Sequence, residues 1–399
     1  MNLQPLPANP SHDSLDERVA MLFQGDEVYG IGTIIKLYAT GLPNLSFVAL
    51  GEGPMVDWLT ANGNQVDVVP GLAKFHEGGP SLLTLMKMPG VLLKARRDAA
   101  RIDALLRNRG IRIIHAHWRP QQIIAGFMRP RGYQSVWQIN NNMDPRRLLG
   151  LGATLNHRLA KWGADLLLPA SDAIGHNWNG CGVPSITIHN AAIPQFSRPN
   201  ELPDEPVRCL VAGRLEPDKG HHLAVEGVAN ARRAGLNVGL DIFGGPLEDN
   251  PYADQLRLQI ATAGCTDAIR LMGFEPQLRD RHQQYHLGLQ CRISPEPCSL
   301  WVCETLVDGL PLVASATGGT PELVEDGVTG LLFRSDDVAD FSDKLIHLLR
   351  DPARLREMRI QAFARGSRCF TLDRFIRETL AAYATLPQTA ESREPLRIS

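Results

Sequence analysis

Two carboxylates eight positions apart, Glu296 and Glu304, stand in "SPEPCSLWVCETLV". Two cations five positions apart, Arg214 and Lys219, stand in "GRLEPDKG" behind Gly213. A carboxylate offers two acceptor oxygens and matches a vicinal diol. A pair of cations on one glycine-flanked loop can clamp a diphosphate and neutralise charge as it leaves. Each feature alone has a plainer reading: surface basics on a loop, or a solvated helix face. For Glu304 the plainer reading fits poorly, because Val302, Cys303, Leu306 and Val307 surround it and a buried carboxylate needs a partner.

A third device is "SATGGTPELV". Thr320 suits a helix N-cap and Pro321 the first helical position. Gly318 and Gly319 would allow close approach of backbone to a ligand. Ser299 opens the helix that carries Glu304, and free amides at a helix start favour an anion. Two helix starts, one cation clamp and two diol-binding acids fit a nucleotide diphosphate sugar. Gly273, near the end of "AIRLMGF", and Cys298 and Leu300, flanking Ser299, complete the candidate donor-binding set.

These groups need strands to hold them. Short runs rich in branched or aromatic residues recur at 18–24, 45–50, 65–70, 111–117, 133–139 and 164–171. They recur again at 207–215, 237–245, 268–274, 287–294 and 310–316, with helical stretches between. Strands alternating with helices predict parallel sheets covered on both faces. The expected architecture is α/β, two Rossmann-like doubly wound domains facing a central cleft. Residues 1–17 read as a disordered tail, 18–195 as an acceptor domain, and 207–370 as a donor domain. The proline-bearing 193–206 reads as the linker, and 371–386 as a C-terminal helix packing back on the first domain. In such sheets ligands sit beyond the carboxyl ends of the strands, where all these motifs fall.

Composition narrows the class. The chain has 399 residues, 44% of them hydrophobic, and a net charge of -2, which suits two soluble domains rather than a nucleic-acid binder. Seven scattered cysteines without a metal-like spacing read as free thiols of a reducing cytoplasm. No apolar run nears the ~20 residues of a membrane span.

The second half carries a resemblance. G-R-L-x-x-x-K-G, then E-x7-E, then G-x-P-x-V-A-S-x-x-G-G-x-P-E-x-V-x-D-G-x-x-G-x-L resembles the second domain of retaining family 4 glycosyltransferases of the GT-B fold. The match covers roughly 207–385; the first half is similar only in "IIHAHW", "SDAI" and "IHNAAIPQF". The resemblance implies a hexosyltransferase that moves a sugar from a UDP- or GDP-linked donor with retention and without an essential metal or other cofactor. It makes Arg214 and Lys219 the pyrophosphate clamp, Glu296 a donor-sugar ligand and Glu304 a ribose ligand. It implies a glycan, glycolipid or small-molecule acceptor, with envelope polysaccharide or glycolipid synthesis as the setting. A small-molecule natural product as acceptor, or a degenerate sugar-nucleotide-binding protein, are the alternatives.

The chain departs from the family pattern at three places. Ser299 stands for a usual glycine. The N-terminal glycine loop is "YGIGT", with Gly30 and Gly32 as candidate donor contacts. Asn140, or Asn141 after a one-residue slip, stands where many members carry a histidine, and Asn cannot take a proton. His117, with Asn140 and Asn141, is a candidate for the acceptor site. His115 and His117 alternate on one strand and so share a face, but no third metal ligand accompanies them. Finally, 80–110 mixes Leu, Met and Val with Lys87, Lys94, Arg96, Arg97, Arg101, Arg107 and Arg109. Such a basic amphipathic helix suits either plain solvent or peripheral contact with an anionic membrane face.

Overall fold

Branched and aromatic runs form twelve strands among the described residues of the computed structural model, which describes 15–27, 30–71, 82–142, 151–203 and 205–387. The first six are β1 (Val19–Phe23), β2 (Ser46–Ala49), β3 (Val66–Val68), β4 (Ile113–Ala116), β5 (Gln134–Ile139) and β6 (Leu166–Pro169). Between them run helices α1 (Gly30–Gly41), α2 (Pro54–Ala61), α3 (Leu82–Leu106), α4 (Arg119–Met128) and α5 (Leu151–Gly163), and α6 (Asp172–His176) follows. The later strands are β7 (Val207–Ala212), β8 (Val238–Phe243), β9 (Ile269–Gly273), β10 (Leu287–Gln290), β11 (Leu312–Ser315) and β12 (Gly330–Phe333). Their helices are α7 (His221–Arg233), α8 (Pro251–Thr262), α9 (Leu300–Val307), α10 (Thr320–Leu323), α11 (Val338–Leu349), α12 (Pro352–Cys369) and α13 (Leu372–Ala384).

Every pairing is parallel, from Met21 beside His115 in the first sheet to Leu289 beside Val313 in the second. The first sheet runs β3-β2-β1-β4-β5-β6 and the second β12-β11-β10-β7-β8-β9. Read from its own first strand, each has the doubly wound order 3-2-1-4-5-6. Strand order reverses between β1 and β4 in one and between β7 and β10 in the other, which marks two crevices for ligands. All five residues of β1 are fully buried, as a strand covered on both faces requires.

The contacts divide the chain into one unit of residues 1–188 with 375–399 and a second of 189–374. The stretch 193–206, expected as a linker, is held to the second unit. Gln283 Nε2 donates to the Arg198 carbonyl at 2.7 Å, and His286 Nε2 meets the Pro203 carbonyl at 2.7 Å. Within the first unit Tyr383 of α13 reaches His115, Oη to Nδ1 at 2.5 Å.

Two expectations need correction. Part of the tail 1–17 is ordered: Asp16–Arg18 form a 3-10 turn, and Asp16 is buried, which pushes its carboxyl above the usual range. Residues 1–14 lie outside the described residues. The strand β12 was also missed, because "GLLF" is four residues long and sits among turn residues that mask it. Among the described residues, no helix is long and apolar enough to cross a membrane.

Candidate functional site

The second unit builds its site at the β7/β10 crevice. After β7 the chain turns through Gly213 to a short 3-10 turn, Pro217–Lys219, and then Gly220 with φ +69°. A Cβ at Gly220 would lie 1.9 Å from the Cys291 carbonyl oxygen, so only glycine lets this loop close on the one after β10. That closure sets Lys219 Nζ 3.7 Å from Glu296 Oε2.

Glu296 does not rest on Lys219 alone. Arg292 Nη1 donates to Glu296 Oε2 at 2.8 Å, and its Nη2 lies 3.2 Å from Asp218 Oδ2. The Ser294 amide donates to Asp218 Oδ1 at 3.2 Å. The result is a chain of alternating charge, Lys219, Glu296, Arg292, Asp218. Burial pushes the Asp218 carboxyl up, but the Ser294 bond and Arg292 outweigh it and leave it below the usual range. Burial pulls the Lys219 ammonium down; Glu296 opposes this, while Arg292 and Arg214 add to it. An incoming anion would reverse that depression, since it favours the charged amine. Arg214 stands apart: it is exposed and pairs with Glu216 at 2.9 Å. Around the cluster lies an open hollow lined by Lys219, Gln290, Arg292, Glu296, Ser299 and Trp301, among others.

Helix α9 opens at this hollow. Ser299 is its N-cap, and Ser299 Oγ accepts from the Val302 amide at 3.3 Å. The hydroxyl that Ser299 adds over the usual glycine is therefore turned onto the helix end. Leu300 is the first helical residue. Glu304, one turn on, is half-buried, and its carboxylate makes no hydrogen bond or ion pair among the described residues. Burial raises its carboxyl above the usual range, with Arg279 and His282 opposing and Asp308 adding to the rise. An unpaired carboxylate in that setting is costly unless a ligand donates to it. Cys298 is buried; its carbonyl accepts from Asn190 Nδ2 at 2.8 Å.

The glycine pair packs on the Glu296 loop. Gly318 has φ +58°, and a Cβ there would lie 2.1 Å from the Glu296 carbonyl oxygen. Gly319 donates its amide to that same oxygen at 2.7 Å and is the N-cap of α10. Thr320 is not the cap: it is buried as the first residue of α10, and its Oγ1 accepts from Gln290 Nε2 at 3.4 Å. Gly273, at the end of the edge strand β9, accepts the Gly244 amide at 2.9 Å, with β8 between it and the crevice.

In the first unit, Gly30 and Gly32 lie in the first turn of α1 rather than in an open loop. A Cβ on Gly32 would meet the Glu27 carbonyl oxygen at 2.5 Å. His117 is buried, its Nε2 3.4 Å from Met21 Sδ, and its ring stacks on His115 at 4.9 Å. Burial pulls the His117 imidazole down to about 3. Asn140 is half-buried, and both of its side-chain polar atoms are buried without a hydrogen bond. Asn141 is exposed. Of the stretch 80–110, residues 80 and 81 and the side chains of 82–87, Lys87 included, lie outside the described residues. Leu93, Lys94, Arg96 and Arg97 are exposed on the described part.

Three residues of the site escaped the sequence. Arg292 and Asp218 each sit within four positions of a residue that was singled out, and the signal was a charge in "QCRIS", an otherwise apolar run. His221 follows "KG" and is fully buried, with neither ring nitrogen hydrogen-bonded. Burial first, and the Lys219 charge second, pull it down to about 4. The folded protein therefore holds His221 neutral, whereas the unfolded chain protonates it near its ordinary value of about 6.5. Stability is lost as pH falls below that value, down to about 4. Between about pH 7.5 and 5.5 the loss from this one residue is about 1.4 kcal/mol. Urea unfolding at both pH values measures it, and His221→Gln is expected to flatten the second unit's pH dependence by that amount. An unchanged slope would remove His221 from the account.

Known proteins agree with this placement. Residues 192–365 match the family model of glycosyl transferases group 1. Over 171 residues the chain is 30% identical to a D-inositol 3-phosphate glycosyltransferase of Nocardia farcinica, which is 41% of this chain and 37% of that one. It is 28% identical over 204 residues to the amylovoran biosynthesis glycosyltransferase AmsK of Erwinia amylovora, 47% of this chain and 48% of that one. The chain thus spans less than half the length of these curated relatives. Among solved structures it is similar to HepE of Anabaena, crystallised with UDP, with TM-score 0.77 and 17% identity over 92% of this chain and 100% of that one. The two doubly wound sheets are those of the GT-B fold, and residues 192–365 of the second unit are similar to glycosyl transferases group 1.

Proposed function

We propose that the protein is a retaining glycosyltransferase that moves a hexose from a UDP- or GDP-linked donor to a hydroxyl acceptor. The observation that carries this reading is the charge cluster at the β7/β10 crevice, Lys219 and Arg292 about Glu296, beside the unpaired Glu304. Lys219 faces the diphosphate and stabilises the charge that develops on it as the sugar leaves. The α9 amides add to that stabilisation. Glu296 holds donor-sugar hydroxyls, and Glu304 takes the ribose diol, its raised affinity for protons exchanged for hydroxyl donors. Arg214 swings from Glu216 to complete the clamp. Attack comes from the same face as departure, with the leaving phosphate assisting the acceptor's deprotonation and no metal required. Asn140 and Asn141 contact acceptor hydroxyls in place of a histidine.

The setting is cell-envelope polysaccharide or glycolipid synthesis on the cytoplasmic side of the membrane. The name of AmsK, an amylovoran biosynthesis enzyme, supports this. So does the exposed basic stretch of α3, which suits peripheral contact with anionic lipid. A thermal-shift screen against UDP-, GDP- and ADP-sugars tests the donor. A donor at ~100 times its dissociation constant is expected to add about 2.7 kcal/mol. Stabilisation by none of them, at millimolar concentration, would refute the reading. Stabilisation without nucleotide release over a panel of acceptors would favour the sugar-nucleotide-binding alternative.

A further inference from the structure

The first unit has its own strand-order reversal, between β1 and β4. The loop after β4 leads straight into α4, whose first residue is Arg119. Its guanidinium carbon lies 6.0 Å from the ring centroids of both Trp137 and Trp178. Both rings are within reach of a cation–π contact with it. Nη2 donates to Asn156 Oδ1 at 2.9 Å. That is a neutral amide oxygen, and no carboxylate pairs with Arg119 among the described residues. Nη1 is buried with no hydrogen bond.

Arg359 and Arg374, which are buried where Arg119 is half-buried, spend most of their donors on backbone, although Arg359 Nη2 also lacks a hydrogen bond. Arg359 donates to the carbonyls of Asn200 and Tyr285, and Arg374 Nη2 donates to those of His189 and Asn190. Both staple one backbone segment to another. Arg119 holds no backbone segment, only the Asn156 side chain of α5, and burial pulls its guanidinium down to about 10, as it does that of Arg359.

A second group beside it has the same deficit. Trp178 is 4% exposed, and its indole Nε1 has no hydrogen bond. An indole N–H and a guanidinium N–H only donate. Two orphan donors with a net positive charge call for an acceptor that is an anion, because an unmatched buried charge costs several kcal/mol. Asn140, whose amide also lacks partners, follows β5. β5 pairs with β4, the strand that leads into α4.

We propose that the start of α4 in the first unit is an oxyanion subsite, with Arg119 as its charged group and Trp178 Nε1 as a neutral donor, taking a phosphate or carboxylate group. That the anion belongs to the acceptor rests on the transferase reading; that an anion binds does not. Bidentate recognition of a phosphate by a held guanidinium is the chemistry expected.

Two measurements test it. Crystals of the wild-type protein soaked in selenate are expected to show an anomalous peak within hydrogen-bond distance of Arg119 Nη1. In solution, inorganic phosphate titrated at constant ionic strength into the Lys219→Ala protein, whose diphosphate clamp is disabled, is expected to raise the melting temperature. Adding Arg119→Met is expected to weaken that phosphate binding about tenfold or more. Arg119→Lys, which keeps the charge and loses the fork, is expected to fall between. Acetate in place of phosphate tells a carboxylate site from a phosphate site by which anion stabilises more. Selenate at Lys219 and none at Arg119 overturns the proposal and leaves the transferase reading intact. Selenate at Arg119 in a protein that no nucleotide sugar stabilises does the reverse. Equal phosphate affinity with and without Arg119 overturns it in solution.

Discussion

Lys219→Ala is expected to lower kcat for sugar transfer by about 10²–10³, the loss seen when one preorganised charge-stabilising donor is removed. The fold should survive. Lys219 Nζ sits 3.7 Å from Glu296, a long contact, while Arg292 holds the same carboxylate oxygen at 2.8 Å. Glu296 therefore keeps a cationic partner and its position when the lysine goes. The charge on the leaving diphosphate grows only as the glycosidic bond breaks, so the loss belongs in kcat rather than in KM alone. Arg214→Ala serves as the comparison. Arg214 is 63% exposed and already paired with Glu216, where solvent screens its charge, so a loss of about tenfold or less is expected. Steady-state kinetics on both variants, with circular dichroism to confirm folding, decides the matter. A Lys219→Ala enzyme with wild-type kcat and only a raised KM would mean that the lysine merely binds the donor. Wild-type kinetics throughout would place the chemistry elsewhere.

The strands were legible because parallel, doubly covered β-structure leaves short apolar runs at regular spacing, and "RVAMLFQ" and "IRIIHAH" are such runs. β12 was not, because a four-residue strand between turns has no periodicity to read. At the site, Lys219 stood out on a glycine-flanked loop, Glu296 past the end of a strand-like run and Glu304 among apolar neighbours. What the sequence could not show was which charge pairs with which. Arg214 and Lys219 look like equals in "GRLEPDKG", yet one is half-enclosed against Glu296 and the other lies in solvent against Glu216. That difference comes from a contact over some 70 residues of chain, the closure of Gly220 on Cys291. Arg292, the strongest partner of Glu296, was hidden for the same reason. His117 shows the converse: its strand alternation with His115 was readable, and the rings do stack, but only packing reveals that Met21 and Tyr38 enclose it.

Gly318→Ala is expected to do more damage to the donor site than any charge substitution, without removing a functional group. Two costs separate cleanly. An alanine at φ +58° pays the left-handed conformational penalty of about 1–2 kcal/mol. Its Cβ would also lie 2.1 Å from the Glu296 carbonyl oxygen and 2.5 Å from the Glu296 nitrogen, distances no structure tolerates. Both neighbours are backbone, so no side chain can rotate away; the Glu296 peptide itself must move. That movement breaks the bond from the Gly319 amide to the Glu296 carbonyl and carries the carboxylate off Arg292 and Lys219. Gly235→Ala isolates the first cost, because Gly235 has φ +82° and open space where a Cβ would go. Chemical denaturation is expected to show about 1–2 kcal/mol for Gly235→Ala and on the order of 3 kcal/mol or more for Gly318→Ala, in the range of substitutions that displace buried backbone. Donor-induced stabilisation should persist in the first variant and vanish in the second. Equal destabilisation, with donor binding retained in both, would mean that the Glu296 loop yields freely, and the role assigned to Gly318 in fixing that carboxylate would be lost.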